Sequence, residues 1–119
     1  MDRQPTCKTY PDGHKAWYLD GKIHRTDGPA REWADGSKEW YLDGKLHRTD
    51  GPAVEGADGS KAWWVDGKRH RTDGPAVEWP GGDKHWWLDG KLVPWQMIYH
   101  RATTDEARLS ILVSALTKP

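Results

Sequence analysis

The chain has 119 residues and a mass of 13.6 kDa, and its 18 Lys and Arg residues balance its 18 Asp and Glu residues. This length suits a single domain, residues 1–119, and the even charge argues against binding to nucleic acid or anionic membranes through a basic surplus. The one cysteine, Cys7, excludes an intramolecular disulfide and a four-cysteine zinc site.

The residues before Tyr10 are polar and irregular. They lack the apolar core of a signal peptide, and no stretch of the chain approaches the roughly 20 apolar residues of a membrane-spanning helix. We therefore expect a cytoplasmic protein without a membrane span. We also expect these residues to guard one edge of whatever structure follows.

Residues 10–95 consist of one unit repeated every 23 residues, at 10–32, 33–55, 56–78 and, truncated, 79–95. The segment His-Arg-Thr-Asp-Gly-Pro-Ala recurs three times, beginning at His24, His47 and His70. An indole occupies one fixed position of every copy. Its members are Trp17, Trp40, Trp63 and Trp86. Such regularity indicates an array of small identical units.

Each full unit contains two Asp-Gly turn signals, such as Asp35-Gly36 and Asp43-Gly44, separated by a short aromatic and branched run, and the fourth copy has Gly81-Gly82 at the first of them. Asp-Gly between extended segments is a strong hairpin signal, and the run has the composition of a strand. The period is too short for a helix in each repeat. The sequence therefore predicts a mainly β protein, an antiparallel meander of β-hairpin repeats.

If both turns are two-residue loops, cross-strand pairing assigns each side chain to one face of the sheet. Tyr41 then opposes Leu46, and Trp33 opposes Lys38. Face one, the more uniform, is predicted to carry Trp17, Trp40, Trp63, Trp86, Leu19, Leu42, Val65, Leu88, Val54, Val77, Trp33 and Trp79. Face two is predicted to carry Tyr18, Tyr41, Trp64, Trp87, Ile23, Leu46, Arg69, Leu92, Arg25, Arg48, Arg71, Glu32, Glu55 and Glu78.

The last segment predicts one helix over residues 103–117. Thr103 and Glu106 have the spacing of a capping box. Leu109, Leu112, Val113 and Leu116 recur at helical spacing and form one apolar face. Because an open sheet needs its last edge covered, we expect this helix to cap the array.

The repeated Gly-Pro-Ala-Val-Glu-Trp and Glu-Trp-Tyr-Leu-Asp-Gly-Lys-Leu segments resemble the MORN-repeat family, in its bacterial and phage-type variant. The resemblance covers residues 10–95. The His-Arg-Thr-Asp-Gly-Pro-Ala segment departs from the usual eukaryotic pattern and looks like repeats of phage and bacterial accessory proteins. The resemblance implies a β-hairpin unit that binds proteins or lipids, with no catalytic motif.

Positions where the repeats disagree are candidates for a binding site. Arg69 replaces the aliphatic residue of the other copies, Trp64 and Trp87 replace tyrosines, and Gly56 replaces a large aromatic residue. Because Trp and Arg are enriched at interface hot spots, we predict a partner-binding centre on face two. Its residues are Trp64, Arg69, Trp87, Tyr41, Leu46 and Tyr18. The alternative is neutral drift of these positions.

The three His-Arg-Thr-Asp segments invite a catalytic or metal-binding interpretation. Equivalent residues of successive repeats lie two strands apart, about 10 Å, which is too far for three histidines to share one zinc ion. We expect no metal site and no cofactor. The Arg and Asp residues are instead predicted to pair with neighbouring carboxylates and amides and to hold each turn.

These observations favour a non-catalytic protein-interaction module over an enzyme. The phage-like resemblance suggests an accessory protein of a phage or mobile element, acting in the host cytoplasm, that binds and inhibits a host protein such as a defence or nuclease component. One alternative is a small ligand or glycan stacked on indoles. Another, disfavoured by the charge, is single-stranded nucleic acid. Unpaired strand edges also leave a homodimer open.

Overall fold

The computed structural model describes residues 3–117, which fold as a mainly β array of hairpin repeats followed by two helices. The strands in this range are β1 (Thr6–Thr9), β2 (Lys15–Leu19), β3 (Lys22–Ile23), β4 (Arg31–Glu32), β5 (Lys38–Glu39), β6 (Tyr41–Leu42), β7 (Lys45–Leu46), β8 (Val54–Glu55), β9 (Lys61–Ala62), β10 (Trp64–Val65), β11 (Lys68–Arg69), β12 (Val77–Glu78), β13 (Lys84–His85), β14 (Trp87–Leu88) and β15 (Lys91–Leu92). The helices are α1 (Trp95–Arg101) and α2 (Asp105–Leu116). The predicted antiparallel meander of hairpin repeats is thereby confirmed.

The strands form one long antiparallel sheet and three separate two-stranded units. The long sheet has nine strands in the order β1-β2-β4-β5-β8-β9-β12-β13, with β3 beside β2. The two-stranded units are β6-β7, β10-β11 and β14-β15. Two backbone bonds join each of these units to the next. Between β6-β7 and β10-β11 they run from Arg48 N–H to the Trp64 carbonyl at 3.0 Å and from Gly67 N–H to the Leu46 carbonyl at 2.9 Å.

The second turn of each repeat is a two-residue loop, as predicted. Asp43 and Gly44 have φ values of 49° and 81°, the left-handed pair that a type I′ turn requires. Tyr41 accordingly opposes Leu46. The same φ pattern recurs in all four copies, at Asp20-Gly21, Asp43-Gly44, Asp66-Gly67 and Asp89-Gly90.

The first turn is one residue longer than predicted, so the expected pairing of Trp33 with Lys38 is wrong. Glu32 opposes Lys38, and Trp33 N–H donates to the Ser37 carbonyl at 2.8 Å. The loop therefore holds three residues and ends in Gly36 at φ 96°, an arrangement common in three-residue hairpin loops. The Asp35 carboxylate stabilises it by accepting from Ser37 N–H at 2.9 Å.

This one-residue shift changes which side chains share a face. Trp33, expected on face one, lies with Arg31 beside Tyr41 on face two, with the Arg31 guanidinium 5.2 Å from the Trp33 ring centroid. Separately from this shift, Arg48 and its equivalents, expected on face two, lie over the face-one indoles, and Arg48 N–H donates to the Trp64 carbonyl instead of pairing with Glu39. Their glutamate partners lie on that side with them, which corrects the face assigned to Glu32, Glu55 and Glu78.

Two helices, rather than the single one predicted, close the C-terminal end. Ile98 of α1 and Ile111 of α2 pack with Trp86 and Leu88 in the main hydrophobic cluster of the described residues. The N-cap of α2 is Thr104, not Thr103: the Thr104 hydroxyl accepts from Ala107 N–H at 3.1 Å.

Helix α2 buries a different face from the one expected. Ile111 is fully buried, whereas Leu109, Val113 and Leu116 remain 63%, 58% and 70% exposed. The helix covers the β13 end of the sheet, as predicted, since the Lys84 ammonium donates to the Ser114 carbonyl at 2.6 Å. At the opposite end, β1 adds a strand before the first repeat, and all four of its residues are exposed.

We predict that Ile98→Ala lowers the free energy of unfolding by about 2–5 kcal/mol, because truncating a fully buried aliphatic side chain leaves a cavity. Urea denaturation followed by tryptophan fluorescence measures this. Gln96→Ala, on the exposed part of the same helix, is the control and should change stability by less than about 0.5 kcal/mol. Equal effects of the two substitutions would contradict the packing of α1 against Trp86.

We also predict an acid-sensitive contribution from the first turns. Hydrogen bonding from Ser37 N–H lowers the pKa of Asp35, and Ser60 N–H does the same to the pKa of Asp58. Because both folded-state values lie below the unfolded ones, the stabilisation is complete above the unfolded pKa and disappears as the pH falls through the folded pKa. The melting temperature of wild type should therefore fall on acidification.

The matched variant is Asp35→Asn with Asp58→Asn, since each amide oxygen can still accept the backbone bond but does not titrate. Its melting temperature should fall less than that of wild type over the same acid range. Carboxyl-detected NMR titration should give both aspartates pKa values below the ordinary one. An unchanged acid response in the double variant would contradict the assignment.

Candidate binding surfaces

Each full repeat is held by an arginine that lies over its own indole. The Arg48 guanidinium carbon is 3.9 Å from the Trp40 ring centroid. Its Nε donates to Asp50 at 2.9 Å, and its Nη1 donates to the Pro52 carbonyl at 3.0 Å and to Glu55 at 2.9 Å. Arg25 and Arg71 make the equivalent contacts. The predicted pairing of these arginines with neighbouring carboxylates is confirmed.

The repeated histidines join each repeat to the next. His47 Nδ1 accepts from Asp66 N–H at 3.0 Å, so the proton of the neutral ring is on Nε2. His24 and His70 accept in the same way from Asp43 and Asp89. Within residues 3–117, no three His, Cys, Asp or Glu side chains are grouped so that they could hold a metal ion.

Face one carries two open grooves between successive His-Arg-Thr-Asp turns. Groove 1, about 580 Å³, is lined by the turns at 25–28 and 47–50, with Trp40 and Leu42 between them. Groove 2, about 570 Å³, repeats this one unit later, with Trp63 and Val65. At the next equivalent position, Trp86 and Leu88 are buried under Ile98 of α1. A groove of this type is therefore complementary to an aliphatic side chain on a helix.

Face two brings three of the predicted site residues together. Trp64 directly opposes Arg69 across the hairpin β10-β11. The Arg69 guanidinium carbon lies 5.3 Å from the Trp64 ring centroid and 5.0 Å from that of Trp87, within cation–π range of both rings. We call Trp64, Arg69 and Trp87 the platform. They line a shallow recess of about 250 Å³ with Gly67, Lys68 and Gly90.

The platform contains an arginine without a carboxylate partner and three buried donors without an acceptor within residues 3–117. Arg25, Arg31, Arg48 and Arg71 each have a carboxylate within 4 Å, whereas Arg69 has none within residues 3–117. Its Nε and the indole N–H groups of Trp64 and Trp87 are buried without an acceptor in the same range, as is the Nε of Arg31. A cation between two indoles with unsatisfied donors favours an incoming carboxylate.

The other predicted site residues lie along face two with separate contacts. Tyr41 opposes Leu46, and its hydroxyl donates to Glu39 at 3.3 Å. Burial, assisted by the Glu39 charge, raises the pKa of Tyr41. The Tyr18 hydroxyl forms a 2.6 Å hydrogen bond with that of Tyr10, and this bond raises the pKa of Tyr10. The hydroxyls of Tyr41 and Tyr18 are thus hydrogen-bonded within the chain. The platform is the part of the predicted site whose buried donors have no acceptor among the described residues.

Sequence reasoning missed both the grooves and the role of Arg31. The groove lining was hidden because Arg25, Arg48 and Arg71 were assigned to the wrong face. Arg31 replaces the valine of the next two repeats, the same kind of departure that singled out Arg69, and this signal could have identified it. Its guanidinium lies 5.8 Å from the Tyr41 ring centroid and 3.8 Å from Glu39, so it is neutralised where Arg69 is not.

Comparison with models of known protein families found no match, and neither did comparison with curated proteins or with solved structures. None of the helices between residues 3 and 117 is long and apolar enough to cross a membrane.

We predict that Arg48→Lys destabilises the protein by about 1–3 kcal/mol, because a lysine keeps the charge but cannot stack and donate to three acceptors as a planar fork. Chemical denaturation gives the value. Lys45→Arg, in the same repeat but exposed, should be within about 0.5 kcal/mol of wild type. Wild-type stability of Arg48→Lys would show that the stacked fork does not hold the repeat.

Proposed function

We propose that the protein is a non-catalytic interaction module whose platform binds an acidic side chain of a protein partner. The observation that carries this proposal is the Arg69 guanidinium, held between the rings of Trp64 and Trp87 without a carboxylate. Arg and Trp supply much of the energy of protein interfaces when they are desolvated together. A partner carboxylate would neutralise the one arginine on this face whose charge is unpaired within residues 3–117.

The platform favours a protein over the other ligand classes. Its recess of about 250 Å³ is smaller than the roughly 300–1,000 Å³ of small-molecule pockets. Two indoles and an arginine could stack nucleobases, but the net charge of +0 lacks the basic surplus that draws nucleic acid. Glycan or single-stranded nucleic acid is therefore an alternative outcome of the test.

We further propose that binding inhibits the partner. The resemblance of the repeats to MORN-type units of phage and bacterial accessory proteins supports a role in a host cytoplasm, against a defence or nuclease component. An array of one repeated unit over residues 10–95 suits a stoichiometric inhibitor. The platform would act by occupying a surface that the partner needs.

The test uses substitutions that restore the residue found in other repeats, so that the fold is kept. Arg69→Leu introduces the residue present at Leu46 and Leu92, and Trp64→Tyr introduces the residue present at Tyr18 and Tyr41. We predict that the double variant loses about 30-fold or more in affinity for the partner, typical of two hot-spot residues, at a melting temperature close to that of wild type. Affinity capture from bacterial lysate, mass spectrometry and calorimetry with the purified partner measure this.

The matched control is Ile23→Leu, at the position of the first repeat equivalent to Arg69, which should bind as wild type does. Titration of the protein into an activity assay of the captured partner tests inhibition. Equal capture by wild type and the double variant would contradict the platform as the binding site. Retention of an oligonucleotide or oligosaccharide, with no protein partner, would contradict the proposed class of ligand.

A further inference from the structure

The turns that border groove 1 and groove 2 carry a surplus of negative charge. Each arginine that lines the grooves contacts two carboxylates, as Arg48 does with Asp50 and Glu55 at 2.9 Å each. One cation against two anions leaves each turn with an uncompensated negative charge. The other two turns repeat this arrangement, Arg25 with Asp27 and Glu32, and Arg71 with Asp73 and Glu78.

The aspartates of these turns present that charge on the groove walls. Asp27 and Asp50 line groove 1, and Asp50 and Asp73 line groove 2. In each aspartate one carboxylate oxygen accepts from the arginine Nε, whereas the other has no donor within residues 3–117. The side chains of Asp27 and Asp50 are each 83% exposed, so an incoming cation can form a charge-assisted hydrogen bond with them.

Between the acidic walls, the floor of each groove is apolar. Trp40 and Leu42 form the floor of groove 1, and Trp63 and Val65 form that of groove 2. All four side chains are only partly buried. An apolar floor between acidic walls is complementary to a surface that carries both aliphatic and cationic side chains.

The third position of the groove series already has an occupant from this chain. There Ile98 of α1 packs against Trp86 and Leu88, which form the equivalent floor and are 8% and 7% exposed. From α2, the Ser110 hydroxyl donates to the Asp73 carbonyl of the bordering turn at 3.0 Å. A groove of this series therefore accepts helices, with an aliphatic side chain on its floor.

The helix that supplies the floor residue is also basic. Helix α1 contains no acidic residue, and His100 and Arg101 form its last turn. Arg101 follows Ile98 by three residues, about one helical turn. Both side chains line a recess of about 120 Å³ together with Thr72 of the bordering turn. The internal occupant therefore combines an aliphatic residue with a cation one turn later.

The spacing of the open grooves matches the period of a helix. Groove 1 and groove 2 are one repeat apart, which is two strands or about 10 Å. Residues seven apart on a helix are separated by about 10.5 Å along its axis. One helix lying across the repeats can therefore place the same pair of side chains in both grooves.

We propose that groove 1 and groove 2 bind a basic amphipathic helix of a protein partner. An aliphatic residue packs on the floor of each groove, and a lysine or arginine three positions later bonds to the wall aspartates. The pair recurs after seven residues, so that one helix fills both grooves. The grooves lie on face one and the platform lies on face two, so this site is independent of the acidic ligand proposed for the platform.

Fluorescence anisotropy of a dye-labelled peptide titrated with the full chain tests the proposal. The probe is an alanine-based helical peptide with two isoleucines seven residues apart and an arginine three residues after each. A second peptide has glutamate in place of both arginines, and a third has the arginines moved to the face opposite the isoleucines. The first peptide should bind about 10-fold or more tightly than either of the others, because only it supplies cations to the acidic walls.

Substitutions in the chain test the groove walls. Asp27→Asn with Asp50→Asn removes two wall charges, while each amide oxygen can still accept from the arginine Nε. This variant should bind the first peptide about 10-fold or more weakly, at a melting temperature close to that of wild type because the lost ion pairs are exposed. The matched control, Asp35→Asn with Asp58→Asn, removes the same charge from the first turns and should bind as wild type does.

Thr49→Trp obstructs both grooves, since Thr49 lines each of them, and should also weaken binding of the first peptide. Failure of the first peptide to bind wild type, equal binding of the arginine and glutamate peptides, or equal binding by the two double variants would overturn the proposal. A wild-type dimer in sedimentation equilibrium that excludes the peptide would assign the grooves to a second copy and would also overturn it.

Discussion

The stacking of one arginine on one indole in each repeat is the interaction on which the array depends. Most strands here are two residues long, and ladders that short contribute too few hydrogen bonds to hold a sheet alone. Arg48 compensates by covering Trp40 while its fork bonds to a side chain in its own turn, a turn carbonyl and a carboxylate on the next strand. A single side chain thus ties the hairpin, the turn and the neighbouring strand together.

Repetition of this unit has two structural consequences, one at the end of the array and one between successive repeats. First, the last sheet edge must be closed, and here α1 and α2 pack Ile98 and Ile111 against the final indole, Trp86. Second, every step between repeats leaves a groove bordered by two turns. Ile98 of α1 fills the last groove position, and groove 1 and groove 2 remain open. The surfaces available for association therefore follow from how an array of this kind ends.

The two faces of the sheet are under different constraints. On face one, the indole, the arginine and the glutamate recur together in the three full repeats, where the arginine stacks on the indole and bonds to the glutamate. On face two, the equivalent positions are less tightly specified, since Arg69 stands where Leu46 stands one repeat earlier. The same backbone therefore accommodates a charged platform without loss of the array. This separation of structural and variable faces suits a scaffold for recognition.

The sequence alone determined the repeat boundaries, the two-residue second turns and the pairing of Tyr41 with Leu46, because the repeat is exact and Asp-Gly between strands favours a tight hairpin. It also placed Trp64, Arg69 and Trp87 on one face. It did not determine the length of the first turn, where the loop has three residues and Ser37 N–H donates to Asp35. It also did not predict that Arg48 bonds to the Trp64 carbonyl instead of pairing with Glu39, and that the arginines lie on the other face. Nor did it determine which side of α2 is buried: small side chains such as Ala115 beside Ile111 let that side approach the core closely, although the opposite side is the more apolar. The positions of the arginines and of α2 depend on contacts between segments that periodicity does not record.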